Sequence, residues 1–542
     1  MTAATVAGWS RRTIADILDE QAEQRGEQVF LYLDDRPVTY REMRSRSLSG
    51  AAALAGLGVG SGDRVALMMA TSLEWVATWF AAARLGAVAV PINTAYRGDF
   101  LAAPLLDSAS TILAVDRSLF GRVADVAGQL SGLRWVLVRE DAPPAGGNPD
   151  PGPLDGKVLG IDSLWEPAPA DAPAAVPGAS WDQPLAIFFT SGTTGRSKGA
   201  LTTHQYLLSA AAAMVDCWQL QPGETVYAPL PLFHLSAVGS VLGPLIAGGT
   251  GVIDRVFSVS NTWERVREHG ACGILLAGAM VVMLWNLPAE ERDRQLPIRF
   301  FSAAPVPGEL YRGIEQRYAC KVVTAYGLSE AFPVVCAGVA DDNPPGASGR
   351  ANPRLEVAVV DHKDDLVPPG TVGEIVCRPR EPHVMFEGYD GRPAETLAQL
   401  GNLWFHTGDL GRLDEAGNLT YVDRKKDAMR RRGENISSFE VEQVLLQHPA
   451  VAEAAAIGVP SEVGEDDVMA CLTLKPGAAL EMVELMDFCA GRMPYFAVPR
   501  YVDIIDQLPK NVIGRVLKPE LRERGVTSST WDREQAGYVV RR

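Results

Sequence analysis

Residues 63–91 constrain the fold of this chain more than any other stretch. Asp63-Arg-Val-Ala-Leu-Met-Met reads as a buried strand, and Thr71 with Glu74 has the spacing of a capping box. An apolar helix is predicted over 73–85, stopped by Gly86, and Ala87-Val-Ala-Val-Pro follows as a second strand. Strand, helix and strand in so short a span make a βαβ unit, which implies a parallel, doubly wound sheet in an α/β fold. At 542 residues and 47% apolar, the chain is too long for one core and holds material for several, so at least two domains are expected.

Two boundaries stand out. Over 141–184 the composition shifts to Pro, Ala, Gly and Asp, with Pro143-Pro144 and Gly152-Pro153, which predicts a surface connection without a core of its own. Farther on, Asp423-Arg-Lys-Lys-Asp and Arg430-Arg-Arg-Gly-Glu-Asn form a polar, glycine-containing stretch between two well-patterned regions, which places a hinge near Lys426. Beyond it a capped helix is predicted over 438–446, strands over 451–459 and 467–474, and a helix over 480–492, enough for a small α+β domain. The longest uncharged run, 235–253, approaches membrane-spanning length but is broken by Gly239, Gly243, Pro244, Gly248, Gly249 and Gly251. It reads as a buried helix followed by a turn and a strand.

The net charge of −16 is spread along the chain, which disfavours nucleic acid and anionic membrane as partners. Seven cysteines lie far apart with no Cys-x-x-Cys pair, so neither a disulfide framework nor a zinc site is indicated and a reducing cytoplasm fits. Arg11-Arg12 is followed by the acidic, amphipathic Thr13-Ile-Ala-Asp-Ile-Leu-Asp-Glu rather than the apolar core of an export signal.

The chemistry begins after the first boundary. The apolar strand Leu185-Ala-Ile-Phe-Phe runs into Thr190-Ser-Gly-Thr-Thr-Gly-Arg-Ser-Lys-Gly199 and then into a segment read as helical. Backbone N–H groups at Gly192 and Gly195, the hydroxyls and Lys198 suit a polyphosphate. The spacing is not that of a Walker P-loop, and composition alone allows a Ser/Thr-rich surface turn equally well.

This loop resembles the phosphate-binding signature of the adenylate-forming superfamily: acyl- and aryl-CoA ligases, peptide-synthetase adenylation domains and beetle luciferases. The resemblance extends over essentially the whole chain and runs closest to fatty-acyl and carnitine-type CoA ligases. It implies a large N-terminal domain, 1–425, of doubly wound α/β subdomains plus a small β-barrel, and a smaller mobile α+β C-terminal domain, 426–542. Within it, Thr190, Ser191, Gly192, Thr193, Thr194, Gly195 and Lys198 would cradle phosphates. Tyr326-Gly-Leu-Ser-Glu330 is similar to the family segment in which the aromatic ring stacks on adenine, the hydroxyl of Ser329 contacts the α-phosphate and Glu330 holds Mg²⁺, with Gly327 between them. Mg²⁺ beside phosphates wants a hard oxygen ligand, although a lone glutamate after a turn is by default solvated. Ser302-Ala303-Ala304-Pro305 resembles the small-residue segment that lets backbone approach adenine and substrate, and His406-Thr-Gly-Asp409 with Arg424 resembles the ribose-binding pair. It is the order and spacing of these segments that carries the identification, since Thr-Gly-Asp alone is merely a turn.

After the hinge, Gly433-Glu-Asn-Ile-Ser-Ser-Phe-Glu440 resembles the loop beside the pantetheine channel, and also reads as a helix start capped by Ser437 or Ser438. Arg430, Arg431 and Arg432 either meet coenzyme A phosphates or form a solvated run. In Pro509-Lys-Asn-Val-Ile-Gly-Arg-Val-Leu-Lys518, Arg515 stands where the family carries its adenylation lysine, while Lys510 and Lys518 do not align with that position. Arginine either replaces the lysine conservatively or marks altered or lost chemistry at the acid. Pro231-Leu-Phe-His234 lies where amino-acid-activating relatives place an aspartate; a neutral imidazole at His234 offers no anion to a substrate ammonium. The resemblance gives His234 the role of a gate at the carboxylate pocket, against the plainer reading of a hydrogen-bonded core histidine. Ala277-Gly-Ala-Met280, residues 302–304 and Gly327-Leu328 are expected to line a small, apolar acyl pocket.

The expected activity is ATP- and Mg²⁺-dependent adenylation of a carboxylic acid with release of pyrophosphate, then transfer to coenzyme A, with Lys198, Glu330, His234 and Arg515 as the catalytic set. The partner is a small-molecule acid, with no nucleic acid and no integral membrane segment. Two alternatives stay open: an enzyme that adenylates nitrite and diazotises an aromatic amine, and a nucleotide-binding sensor or inactive scaffold.

Overall fold

A computed structural model describes residues 8–141, 151–165, 179–190, 197–425, 427, 429–431, 434–461, 466–510, 514 and 516–540. The chain divides into two compact units. The first comprises Met1–Val357, Cys377–Phe405 and Gly417–Leu419, and the second Ala358–Val376, His406–Ala416 and Thr420–Arg542.

The first unit is built on two sheets. One has seven strands in the order Val158–Gly160, Trp135–Arg139, Ile112–Asp116, Arg64–Met68, Val88–Pro91, Pro184–Thr190 and Lys198–Thr203; all neighbours are parallel except the last pair. The other has nine, in the order Arg350–Ala351, Ala331–Ala337, Lys321–Leu328, Phe300–Ala304, Gly273–Ala277, Thr225–Tyr227, Thr250–Ile253, Val29–Leu33 and Arg36–Thr39. Its centre is parallel and each edge is closed by an antiparallel hairpin.

Alternation along these strands feeds separate cores. Val65 and Leu67 join a cluster with the helices Leu73–Arg84 and His204–Trp218, while Ala66 and Met68 join another on the opposite face. In the nine-stranded sheet Leu275, Phe300 and Val323 face that same first cluster, whereas Ile274, Leu276, Phe301 and Val322 face a third. Both sheets are therefore covered on both faces, as near-continuous apolar strands require. The two helices in the shared core are apolar on nearly every side, as burial between sheets demands.

Residues 63–91 form the expected unit, with parallel strands flanking Leu73–Arg84. The cap is displaced by one residue. Ser72 Oγ accepts from Trp75 N at 3.2 Å, whereas Thr71 Oγ1 is buried without a partner and Glu74 pairs with Arg139 at 3.8 Å, so there is no capping box. The uncharged run 235–253 is the helix Leu235–Ala247, ended by Gly248 at φ 69° and followed by the strand Thr250–Ile253. Among the described residues no helix is long and apolar enough to cross a membrane. Within the connection over 141–184, the described residues include a strand and buried apolar side chains that its composition did not imply. Val158–Gly160 extends the seven-stranded sheet, and Leu154 is buried in the core on one face of it while Ile161 and Leu164 join the core on the other, so a few apolar residues amid the Gly and Pro suffice to dock.

A further sheet has five strands. Its order is Leu355–Val360, Gly373–Pro379, Trp404–Leu413, Leu400–Gly401, with Leu419–Arg424 also paired to Trp404–Leu413. The second unit holds an α+β fold. Its sheet runs Val451–Pro460, Asp466–Leu474, Tyr501–Ile504 and Trp531–Asp532, with helices Ser438–Leu446, Met482–Ala490 and Lys518–Arg524. Alternate residues again feed two clusters, Val468, Ala470 and Leu472 on one side and Met469 and Cys471 on the other. Ser437 caps Ser438–Leu446, its Oγ accepting from Glu440 N at 3.1 Å.

One histidine of the shared core sets an acid limit on stability. His204 is fully buried, its Nδ1 accepts from Ile14 N at 3.2 Å, and burial pushes its pKa down to about 4 from 6.5. Because the folded value is depressed, the unfolded chain takes up a proton first as pH falls below 6.5. Stability is thus complete above that value and declines toward about pH 4. The loss from this residue is on the order of 3 kcal/mol. His204→Gln, which still offers an acceptor to Ile14, is expected to flatten the fall measured by chemical denaturation between these two pH values.

Candidate active site

The hydroxyl-rich loop joins two antiparallel strands. Thr190 pairs with Lys198 across its base, and Thr190 Oγ1 donates to Lys198 O at 3.3 Å. Ser191, Gly192, Thr193, Thr194 and Gly195 lie outside the described residues. The helix expected directly after the loop begins only at His204, capped by Thr203, because Lys198-Gly-Ala-Leu-Thr-Thr203 forms a strand first. Gly199 permits that pairing, since a Cβ there would stand 2.5 Å from Ile187 Cγ2. No helix terminus therefore stands directly after this loop.

A segment distant in sequence completes this corner. Residues 387–390 lie antiparallel to Lys198–Thr203: Glu387 N donates to Leu201 O at 2.8 Å, Leu201 N to Gly388 O at 3.0 Å, and Asp390 N to Gly199 O at 2.8 Å. Tyr389 is thereby set beside Lys198, whose Nζ stands 4.8 Å from the ring centroid and 3.0 Å from Glu395 Oε2. Tyr389 Oη donates to Glu330 Oε1 at 2.6 Å. Burial first, and then the neighbouring Glu330 carboxylate, raise the Tyr389 pKa well above its ordinary value, so the phenol stays a donor. Glu330 itself is only 5% exposed, so the solvated reading of this residue is wrong. Lys198, Tyr389 and Glu330 thus form one connected cation, phenol and carboxylate.

Glu330 and Ser329 form the turn between Lys321–Leu328 and Ala331–Ala337. Ser329 O accepts from Tyr206 Oη at 3.1 Å. The register shifts at Gly327, where a Cβ would come within 2.8 Å of Ala331 O and the Phe332 ring, so glycine is what lets Tyr326 and Glu330 share so tight a hairpin. Ala303 pairs with Leu276 and Ala304 with Ala277, next to the strand that bears Tyr326. Pro305 follows at the same carboxyl edge, where open α/β sheets bind ligands. Ser302 Oγ accepts from Trp218 Nε1 at 3.1 Å, and that indole stacks on Phe300 with centroids 5.7 Å apart.

His234 immediately precedes Leu235–Ala247, with its ring 4.5 Å from that of Phe233. Its Nε2 is buried with no hydrogen-bond partner among the described residues. Burial holds its pKa down to about 4, so the imidazole is neutral near pH 7.

In the second unit, Asp409 Oδ1 stands 3.7 Å from Arg424 Nε. His406, Thr407 and Asp409 lie within the strand Trp404–Leu413 rather than in a turn, with Gly408 at φ 72°. Glu374 sits behind them, accepting from Gly408 N at 3.1 Å, pairing with Lys425 at 2.7 Å and lying 3.2 Å from His406 Nδ1. Burial opposes its ionisation, but Lys425 and His406 outweigh it and hold the carboxyl below its ordinary range. Gly433 and Arg515 lie outside the described residues. Lys510 pairs with Glu453, and Lys518 with Glu442 at 2.8 Å and with Ser438, so both are committed to structure. Arg431 is buried, pairs with Asp467 at 2.8 Å and donates to Phe496 O, which removes it from any phosphate-binding role.

Glu374, Tyr389 and Glu395 were missed from sequence. Each is an ordinary polar residue, Glu374 in the strand Gly373–Pro379 and Glu395 in a short helix, and only tertiary contact sets Glu374 beside Gly408 and the other two beside Lys198. Among the described residues one other group, Asp35, Glu268 and His269, lies within metal-binding reach, but Arg265 already pairs with Asp35 and with Glu268 at 3.0 Å, so its carboxylates have their countercharge.

Residues 18–389 match the family model of the AMP-binding enzymes, and residues 440–515 match the model of the AMP-binding enzyme C-terminal domain. The chain is similar to the long-chain-fatty-acid–CoA ligase FadD13 of Mycobacterium tuberculosis, 31% identical over 90% of this chain and 93% of the relative. Among solved structures it resembles ATP-bound MatB from Rhodopseudomonas palustris, with a TM-score of 0.82 and 26% identity over 94% of this chain and 98% of the other. It also resembles o-succinylbenzoate CoA synthetase from Bacillus subtilis in complex with its acyl-adenylate intermediate, with a TM-score of 0.82 and 25% identity over 95% and 98%. Matched along almost its entire length, the chain belongs to the AMP-binding enzyme family and is an adenylate-forming enzyme of the acid–thiol ligase type.

Proposed function

We propose that this enzyme joins a carboxylic acid without an α-amino group to AMP at the expense of ATP, and then passes the acyl group to coenzyme A. The observation that carries this reading is the connected set of Lys198, Tyr389 and Glu330 beside the hydroxyl loop. Lys198 and the loop would take the phosphates, Tyr326 with Ala303, Ala304, Pro305 and Gly327 the adenine, Ser329 the α-phosphate, and Asp409 with Arg424 the ribose. A buried carboxylate offering hard oxygen suits Mg²⁺, so Glu330 would hold it. Bound there, Mg²⁺ supplies countercharge to the phosphates. The acid's carboxylate oxygen attacks the α-phosphorus in line, forming the acyl–O–P bond as the bond to pyrophosphate breaks. Catalysis is positioning and preorganised charge from Lys198 and Arg515, with no covalent enzyme intermediate.

The unpartnered, neutral His234 supports a gate at the acid end and gives an α-ammonium no anion. Coenzyme A as acceptor is supported by the similarity to coenzyme A ligases. In this reading 1–425 is the adenylation domain, 426–542 turns about a hinge near Lys426, Gly433 flanks the thiol's path, and the strands 355–424 act as the small barrel. The test is pyrophosphate release with a panel of aliphatic and aromatic acids, with and without coenzyme A, and with nitrite plus an aminobenzoate. Acid-dependent release, followed by acyl-CoA formation, is expected. Turnover with nitrite and no need for coenzyme A would replace this reading with the diazotising one, and no turnover with any acid would favour a sensor. Arg515→Lys is expected to leave adenylation unchanged or faster, since either cation stabilises charge at the phosphorus; a large loss in pyrophosphate release would show that the guanidinium has a role of its own.

A further inference from the structure

Glu395 has no assigned role, yet it is the residue that Lys198 touches. The glutamate lies in the short helix Pro393–Ala398, and its two oxygens are divided: Oε1 accepts from Arg392 at 3.1 Å and Oε2 faces Lys198 Nζ at 3.0 Å. Arg392 is tied on its other side to Asp107 at 2.7 Å, so the carboxylate is anchored independently of the lysine. The helix is itself fastened to the strand that bears Lys198. Tyr389 bridges to Ala200, and Tyr389 N donates to Thr396 Oγ1 at 2.9 Å. The ammonium is thus held between a carboxylate and a ring, partly exposed, with side-chain exposures of 28% for Lys198 and 39% for Glu395.

We propose that Glu395 is a resident counter-anion for Lys198: a positioning residue that the pyrophosphate half of ATP displaces on binding and that reclaims the lysine as pyrophosphate leaves. This rests on the reading of Lys198 as the polyphosphate lysine. An ammonium that has lost one anion is costly to leave bare in a part-buried site. A resident carboxylate removes that cost from the state that follows pyrophosphate departure. It also lowers the net gain from binding pyrophosphate by the strength of the pair it breaks. A polyphosphate carries several charges against the single one of Glu395, so it wins the exchange when bound; the glutamate wins when the product dissociates. Because the pair is part-exposed, the effect is modest.

Calorimetric titration of the full chain with magnesium pyrophosphate, and separately with AMP, tests this. Glu395→Gln keeps a partner for Arg392 but frees Lys198. It is expected to tighten pyrophosphate binding about two- to fivefold, the size of a part-exposed ion pair, and to leave AMP affinity unmoved. Glu395→Ala is expected to shift pyrophosphate in the same direction. Lys198→Ala is expected to weaken pyrophosphate binding roughly tenfold or more, the loss of a charge-assisted contact. If Lys198→Ala weakens pyrophosphate while neither Glu395 variant tightens it, the counter-anion role is overturned and the lysine's role stands. If both ligands shift equally in the Glu395 variants, the effect is general and the proposal is likewise overturned. If Lys198→Ala changes nothing, the polyphosphate reading of the lysine fails, and the counter-anion with it.

Discussion

Glu330→Gln is expected to lower acid-dependent ATP–pyrophosphate exchange on the order of 10²- to 10³-fold, the scale of removing one preorganised electrostatic contact from a closed site, and to raise the Mg²⁺ concentration needed for half-maximal rate. The substitution is nearly isosteric, and its amide oxygen still accepts from Tyr389 Oη, which lies 2.6 Å from the native carboxylate. The turn between Lys321–Leu328 and Ala331–Ala337 is therefore kept while the charge is lost. Thermal melting separates charge from fold. A melting temperature close to that of the native protein together with the activity loss supports metal binding by Glu330. An unchanged Mg²⁺ dependence would remove the metal from this residue.

Trp218→Ala is expected to destabilise the first unit by about 3–5 kcal/mol, the cost of emptying a large aromatic site in a packed core. Trp218 closes the helix His204–Trp218, stacks on Phe300 at 5.7 Å with an interplanar angle of 3°, and donates to Ser302 Oγ. Gly243 of the helix Leu235–Ala247 packs on the same ring, since a Cβ there would stand 2.9 Å from it. The indole thus supports the strand that ends in Ala303 and Ala304 from the side opposite Phe301. Trp218→Phe retains an aromatic ring and loses the hydrogen bond, so about 1–2 kcal/mol is expected for it in denaturant titration. Equal losses for the two variants would mean that the bond to Ser302, rather than the packing, carries the effect.

Much of this molecule is legible in its sequence, and what is not has a common cause. Apolar periodicity marks Leu73–Arg84 and Ser438–Leu446, because each buries a wide face against a sheet and its pattern must show it. Residues 200–203, expected to begin a helix after the loop, instead continue the strand Lys198–Thr203. Its six residues are short, and the segment 387–390 that stabilises its free edge is remote in sequence. Val158–Gly160 hid among prolines and glycines for the same reason: a three-residue strand exists only by virtue of its neighbour Trp135–Arg139. The candidate residues of the two units divide likewise. Lys198, Glu330, Asp409 and Arg424 sit in compact segments that declare themselves. Tyr389, 59 residues beyond Glu330, Glu395 beside Lys198, and Glu374 behind Gly408 act only through tertiary contact, and no local pattern marks them. Arg431 shows the converse, since three adjacent arginines read as a solvated run, yet this one is fully engaged with Asp467 and backbone carbonyls.

The central claim, that the acid's own oxygen is joined to the α-phosphorus, has a direct test in the fate of that oxygen. An acid substrate carrying ¹⁸O in both carboxylate positions is incubated with ATP, Mg²⁺ and coenzyme A, and the AMP is recovered for mass spectrometry. Attack of the carboxylate on the α-phosphorus followed by thiol displacement at the acyl carbon leaves one acid oxygen in AMP, so AMP heavier by one ¹⁸O is the predicted result. Unlabelled AMP, or label found in ADP or inorganic phosphate, would contradict the account.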